Sequence, residues 1–119
     1  MITTTPSRSR IASIVAAVSL LLGSMAVAAA APSARKPTTH TVVIDATKFQ
    51  TELLTVKAGD AIVWVNKDPF AHTVTSQSGG FDSHVIETGK SWRYTATKKG
   101  EFPYSCTFHP TMKATLRVR

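Results

Sequence analysis

From position 40 onward, apolar and polar residues alternate in short runs, and no stretch carries the 3.6-residue period of an amphipathic helix. The clearest run is 91–97, where Trp92, Tyr94 and Ala96 fall on one parity and Ser91, Arg93 and Thr95 on the other. In an extended strand those two sets point to opposite faces. The last run behaves alike: Ala114, Leu116 and Val118 alternate with Thr115, Arg117 and Arg119, and one step back from Ala114 on the same parity is Met112. Phe102, Tyr104 and Cys106 share a parity, as do His72 and Val74, so soft and polar side chains reach the inner face at strand ends. The run "AIVWV" is apolar on both parities, as a central strand covered on both sides should be.

Gly, Pro, Asn, Asp and Ser clusters separate these runs, and the pattern predicts strands at 40–46, 52–57, 61–66, 72–75, 91–97, 100–106 and 114–118. Seven short strands predict an all-β, two-sheet sandwich. The long connection "SQSGGFDSHVIETGK" has room for a turn or one further short strand.

The N-terminus departs from that pattern. Arg8 and Arg10 precede an apolar run from Ile11 to Leu22, followed by small residues, the order of a secretory signal peptide. Residues 1–30 are therefore assigned to a leader, 31–39 ("APSARKPTT") to an unstructured lead-in, and 40–119 to the folded domain. The protein is expected to be exported, to a periplasm or to a membrane-tethered position facing it, with membrane attachment only if the leader stays uncleaved. About 80 residues remain to fold, enough for one domain with a modest core.

Composition adds two constraints. Of fourteen Lys and Arg, Arg8 and Arg10 lie in the leader, and the rest stand against seven Asp and Glu. The excess is scattered, with no basic run and no nucleic-acid motif, so a nucleic-acid partner is not expected. The second constraint is the single cysteine, which no disulfide can occupy.

Cys106 stands in "YSCTFHPTM", three residues before His109 and six before Met112, which is the one methionine outside the leader. A thiolate, an imidazole and a thioether make a soft donor set; with a second imidazole it becomes the two-His, one-Cys arrangement with a weak axial Met that selects copper. Zinc takes four short ligands from Cys, His and carboxylate, and a thioether is not among them. Pro110 after His109 removes a backbone donor and fixes one dihedral, which suits a loop that folds these donors round one ion. The second imidazole must come from His40, His72 or His84. His72 is preferred because it follows the turn "NKDPF" at the end of the central strand, with Asn66 placed to tie neighbouring loops. His40 adjoins the lead-in and His84 lies in a polar loop.

These residues resemble the cupredoxins, in particular their small amicyanin-like and plastocyanin-like copper proteins. The likeness runs through "TVVIDATKF", "VKAGDAIVWVNKDPFAHTVTS", "FDSHVIETGKSWRYTATKKGEFPYSC" and "TFHPTMKATLRV". It implies a Greek-key sandwich of seven or eight strands with one type 1 copper under one end, held by His72, Cys106, His109 and Met112 and braced by Asn66. It further implies a blue copper electron carrier, monomeric, shuttling single electrons between a donor and an acceptor such as a cytochrome c or a dehydrogenase or oxidase. The implied port is the His109 ring, with Phe108, Pro110 and Phe70 around it. Phe108 stands where proline is usual in amicyanin-like members, and His84 where glycine is common.

Two rival functions share the residues. Copper delivery or storage in the periplasm would use the same ligands, but is expected to display exposed Met- or His-rich stretches. An enzyme with Cys106 as nucleophile would need an orienting acid and an oxyanion motif, which the sequence does not offer, so none is expected.

Overall fold

Eight strands order the described residues: β1 (Thr39–Asp45), β2 (Lys48–Phe49), β3 (Leu53–Val56), β4 (Ala61–Asn66), β5 (Thr75–Ser76), β6 (Ser91–Thr95), β7 (Gly100–Ser105) and β8 (Lys113–Val118). The computed structural model describes residues 34–119, with Gly23 and residues 26–29 ahead of them. The rest of the expected leader lies outside the described residues, among which no helix is long and apolar enough to cross a membrane.

The strands form two four-stranded sheets, in the orders β2-β1-β4-β6 and β3-β8-β7-β5. Each is mixed: β1 runs parallel to β4 and β3 parallel to β8, and the remaining pairs are antiparallel. This is the expected all-β sandwich. The parities hold on both sheets. Met112, Ala114, Leu116 and Val118 are buried in register, as are Phe102, Tyr104 and Cys106. On the edge strand β6, Ser91, Arg93 and Thr95 are exposed and Trp92 and Tyr94 half-buried. Every residue of β4 from Ala61 to Asn66 is buried or half-buried, as its double-sided apolar pattern requires.

Between the sheets Val42, Ile44, Ile62 and Trp64 meet Val56, Tyr104, Leu116 and Val118, and Phe81 and Ile86 from the long connection close the side. Each fully buried Ile, Leu or Val contributes about 1.5–3 kcal/mol. Trp64 stacks on Trp92 at 5.5 Å and donates its indole N–H to the Tyr104 hydroxyl at 3.2 Å, so the largest core side chains leave no polar atom unpaired.

The structure departs from expectation in three places. The strand expected at 72–75 is shorter and later, Thr75–Ser76, because the His72 backbone pairs across the long connection with Ile86. Strand β2 was not expected. It joins β1 through the two-residue turn Ala46–Thr47, whose φ angles of 50° and 56° give a turn that usually takes Asn-Gly, so the sequence carries no signal for it. Residues 35–38 belonged to the expected lead-in, yet Arg35 Nη2 (2.6 Å) and the Thr38 amide (3.0 Å) both donate to Oδ1 of the buried Asp60.

The pairings define two ends. One gathers Asn66, Asp45, Ser105 and Lys113; the other gathers Thr39, Ala61, Thr95, Gly100, Val56 and Val118.

Candidate metal centre

Cys106 follows β7 and Met112 precedes β8, so the antiparallel ladder sets them opposite one another. The Cys106 amide donates to the Met112 carbonyl at 3.1 Å, and the Met112 amide donates to the His109 carbonyl at 2.9 Å. The second bond closes a turn with Pro110 at its first corner, where a φ near −65° is already required. A six-residue step that would span about 20 Å if extended is thereby folded back into one loop.

That loop brings His109 beside the sulfur, and the connection after β4 brings His72. Cys106 Sγ lies 3.7 Å from His72 Nδ1 and 3.8 Å from His109 Nδ1. The three donor atoms all fall within 4.8 Å of one another. Donors bound to a single ion at about 2.0–2.3 Å in a trigonal plane are about 3.5–4 Å apart, a range that both sulfur–nitrogen distances meet. His72 and Cys106 are wholly buried, Met112 is buried, and His109 is half-buried.

The other two candidate imidazoles, set aside in favour of His72, are elsewhere. His40 Nε2 bonds Asp60 Oδ2 at 2.9 Å at the opposite end, and His84 projects its ring outward, 87% exposed. His84 does have a φ of 55°, which accounts for glycine being common there.

Neighbouring groups fix each donor. Asn66, fully buried, donates through Nδ2 to the carbonyls of Phe70 (2.7 Å) and Ile86 (2.9 Å) and accepts the Asp68 amide at Oδ1 (3.0 Å). It thus ties the His72 loop to the long connection. Asp68 was not anticipated. Its Oδ2 lies 2.7 Å from His72 Nε2 and accepts the Thr47 amide at 2.8 Å. With Nε2–H committed to a carboxylate, the Nδ1 lone pair is the one that faces the sulfur. Burial pushes the Asp68 carboxyl up, but the Thr47 amide and the His72 ring outweigh it and hold it below its ordinary value. The only hint in the sequence is an acid four residues before the histidine.

Thr73 and Thr107 were also missed. The Thr73 amide donates to Cys106 Sγ at 3.3 Å and fixes the position of the sulfur. The Thr107 amide donates to Thr73 Oγ1 at 2.9 Å, tying the segment that carries His72 to the one that carries Cys106. No buried side-chain nitrogen or oxygen among the described residues lacks a partner. Beside this buried set, Phe70, Phe108 and Pro110 are exposed on the same two loops.

Residues 14–118 match the family described as Cupredoxin-like domain. Among curated proteins, the chain is 29% identical over 130 residues to the amicyanin of Paracoccus denitrificans, covering 99% of each. It is 33% identical over 76 residues to the amicyanin-alpha of Methylorubrum extorquens, covering 60% of this chain and 64% of that one. Among solved structures, a reduced amicyanin mutant superposes with a TM-score of 0.63 at 29% identity, over 68% of this chain and 82% of that one.

Proposed function

This chain belongs to the cupredoxin-like family, and on that footing we propose that it is a type 1 copper electron carrier whose ligands are His72, Cys106, His109 and Met112. The observation that carries the reading is the pair of Nδ1 atoms 3.7 and 3.8 Å from one buried cysteine sulfur. Copper held there by the Cys106 sulfur, the His72 and His109 imidazoles and the Met112 thioether would supply one-electron Cu(II)/Cu(I) chemistry.

The protein's own part is to keep the donors still. Asp68 holds the His72 ring, the Thr73 amide holds the Cys106 sulfur, and Asn66 and the Thr73–Thr107 pair lock together the loops that carry them. A cage locked in this way changes little when the charge at its centre changes, so little reorganisation opposes electron transfer. The chain makes and breaks no bond and is not an enzyme. His109 is the one half-buried member of the set, and its ring is the proposed port. Phe108, Phe70 and Pro110 supply an apolar surface on which a redox protein, donor or acceptor, docks. Export to a periplasm, under residues 1–30 as a cleaved leader, completes the reading.

Adding Cu(II) to the purified protein tests it. An intense blue thiolate-to-copper absorption is expected, Cys106→Ser abolishes it, and Met112→Gln keeps the colour while lowering the potential. A protein that stays colourless overturns the proposal. Fast electron self-exchange with slow copper release identifies a carrier; the reverse order identifies copper delivery.

A further inference from the structure

The charge of the β domain is gathered at one end. From residue 35 onward, the end opposite the metal site carries Arg35, Lys36, Lys57, Lys98, Lys99, Arg117 and Arg119, against only Asp60 and Glu101. The remainder balances: Lys48, Lys67, Lys90, Arg93 and Lys113 stand against Asp45, Glu52, Asp68, Asp82 and Glu87. Both carboxylates of the basic end are already committed. Asp60 pairs with Arg35 at 2.6 Å and is buried, and Glu101 pairs with Arg117 at 2.6 Å. Lys36, Lys57, Lys98, Lys99 and Arg119 are exposed and make no ion pair among the described residues.

These five cations sit on one rigid surface. The turn after β3 donates to its neighbours on both sides, from the Ala58 amide to the Arg119 carbonyl (2.9 Å) and from the Gly59 amide to the Ala96 carbonyl (2.7 Å). Asp60 binds the Thr38 amide at 3.0 Å and the Lys57 amide at 3.1 Å, fastening the incoming segment to the same turn. Arg35, Lys36, Lys57 and Arg119 line an open pocket of about 490 Å³ in this surface.

We propose that this basic pole seats the domain on an anionic phospholipid surface, with the metal end turned away from it. Charge is what the pole offers, and it has no apolar anchor. Among the described residues of the β domain the exposed large apolar side chains are Leu53, Phe70, Val85 and Phe108, none of which belongs to it. Specific protein partners are held mainly by buried aromatic and apolar anchors, whereas a sheet of lipid phosphates needs only several lysines and arginines facing one way. The two ends are separated by the length of β1 or β4, about 20 Å, twice the screening length at physiological salt. Binding at one end therefore leaves the field at the other almost unchanged.

The test is sedimentation of the full chain with vesicles of phosphatidylcholine alone or mixed with phosphatidylglycerol. Contact made by the N-terminal apolar run is common to both vesicles, and Arg8 and Arg10 stay in every variant, so the differences between variants read the pole's charge. Tighter binding to the anionic vesicles is expected, reversed by salt. Combined Lys57→Gln, Lys98→Gln, Lys99→Gln and Arg119→Gln should weaken it by about two to three orders of magnitude. Combined Lys48→Gln, Lys67→Gln and Lys113→Gln should change it only a few-fold. Lys98→Glu with Lys99→Glu, confined to one exposed turn, gives a second reading in the same direction. Equal binding to both vesicles, or equal losses from the two Gln sets, overturns the proposal. Displacement by polyglutamate at matched negative charge also overturns it, and assigns the pole to an acidic protein.

Discussion

Asp68 and His72 are joined by a single contact, Oδ2 to Nε2 at 2.7 Å, between two buried side chains four residues apart. The carboxylate selects which ring nitrogen is free and aims it at Cys106. Asp68→Ala leaves His72 Nε2–H and the Thr47 amide without their acceptor. Copper affinity, measured by competition with a chelator, should fall about 10–100-fold. The copper-free protein should lose about 1–3 kcal/mol in denaturant unfolding. Unchanged affinity would mean that the loop backbone alone orients the ring.

Phe108 exposes 54% of its surface beside His109, the proposed port. Phe108→Ser should therefore leave the blue absorption intact and weaken docking of a redox partner by about tenfold, the loss typical of an interface anchor. Stopped-flow kinetics against partner concentration separates the two effects.

Tyr104 links pH to the core. Burial pushes its phenol up to about 12, although the Trp64 indole N–H, which it accepts, pulls the other way. In the unfolded chain the phenol ionises near pH 10, so from about pH 10 to about 12 the unfolded state sheds a proton that the folded state keeps, and stability falls as pH rises. Tyr104→Phe should remove that part of the alkaline loss. At neutral pH it should cost about 1–3 kcal/mol, because the Trp64 N–H is left unpaired. Urea unfolding at pH 7 and at about pH 11 tests both signs.

At the opposite end Asp60 responds to acid. The Thr38 amide above all, then His40, with Arg35 and the Lys57 amide, outweigh burial and hold its carboxyl well below the usual range. Its contribution is full above the unfolded carboxylate value, about pH 4, and is lost as pH falls towards the lower folded value. Asp60→Asn should lower Tm at neutral pH and flatten the fall of Tm as the pH drops below about 4. A parallel fall in both proteins would rule out Asp60 as the source.

The Ala46–Thr47 turn holds two side chains at positive φ, a conformation costing about 1–2 kcal/mol per residue without glycine. Replacing Ala46→Asn together with Thr47→Gly should raise stability by about 1–2 kcal/mol. The blue absorption should not change, because Gly at 47 keeps the amide that Asp68 accepts.

What the sequence disclosed follows the same physics. Strand parity placed Cys106, Met112 and His72 inward because burial on one face of a pleat leaves a period-two trace. The spacing of Cys106, His109 and Met112 could be read because the proposed ligand loop is local. Asp68 could not, since nothing in "NKDPF" says that its oxygen turns towards a ring rather than towards water. Strand β2 stayed hidden because its turn uses residues that ordinarily avoid it. The hold of Asp60 on Arg35 and Thr38 was equally silent, being made between segments more than twenty residues apart.

Three proposed donors come from the single loop 106–112, but His72 enters from 34 positions upstream and meets the sulfur only once β4 and β7 lie in their own sheets. An unfolded polypeptide thus owns an incomplete claw long before it owns a finished socket. The appearance of blue during refolding in cupric salt would then serve as a stopwatch for the moment the two halves of the sandwich shut.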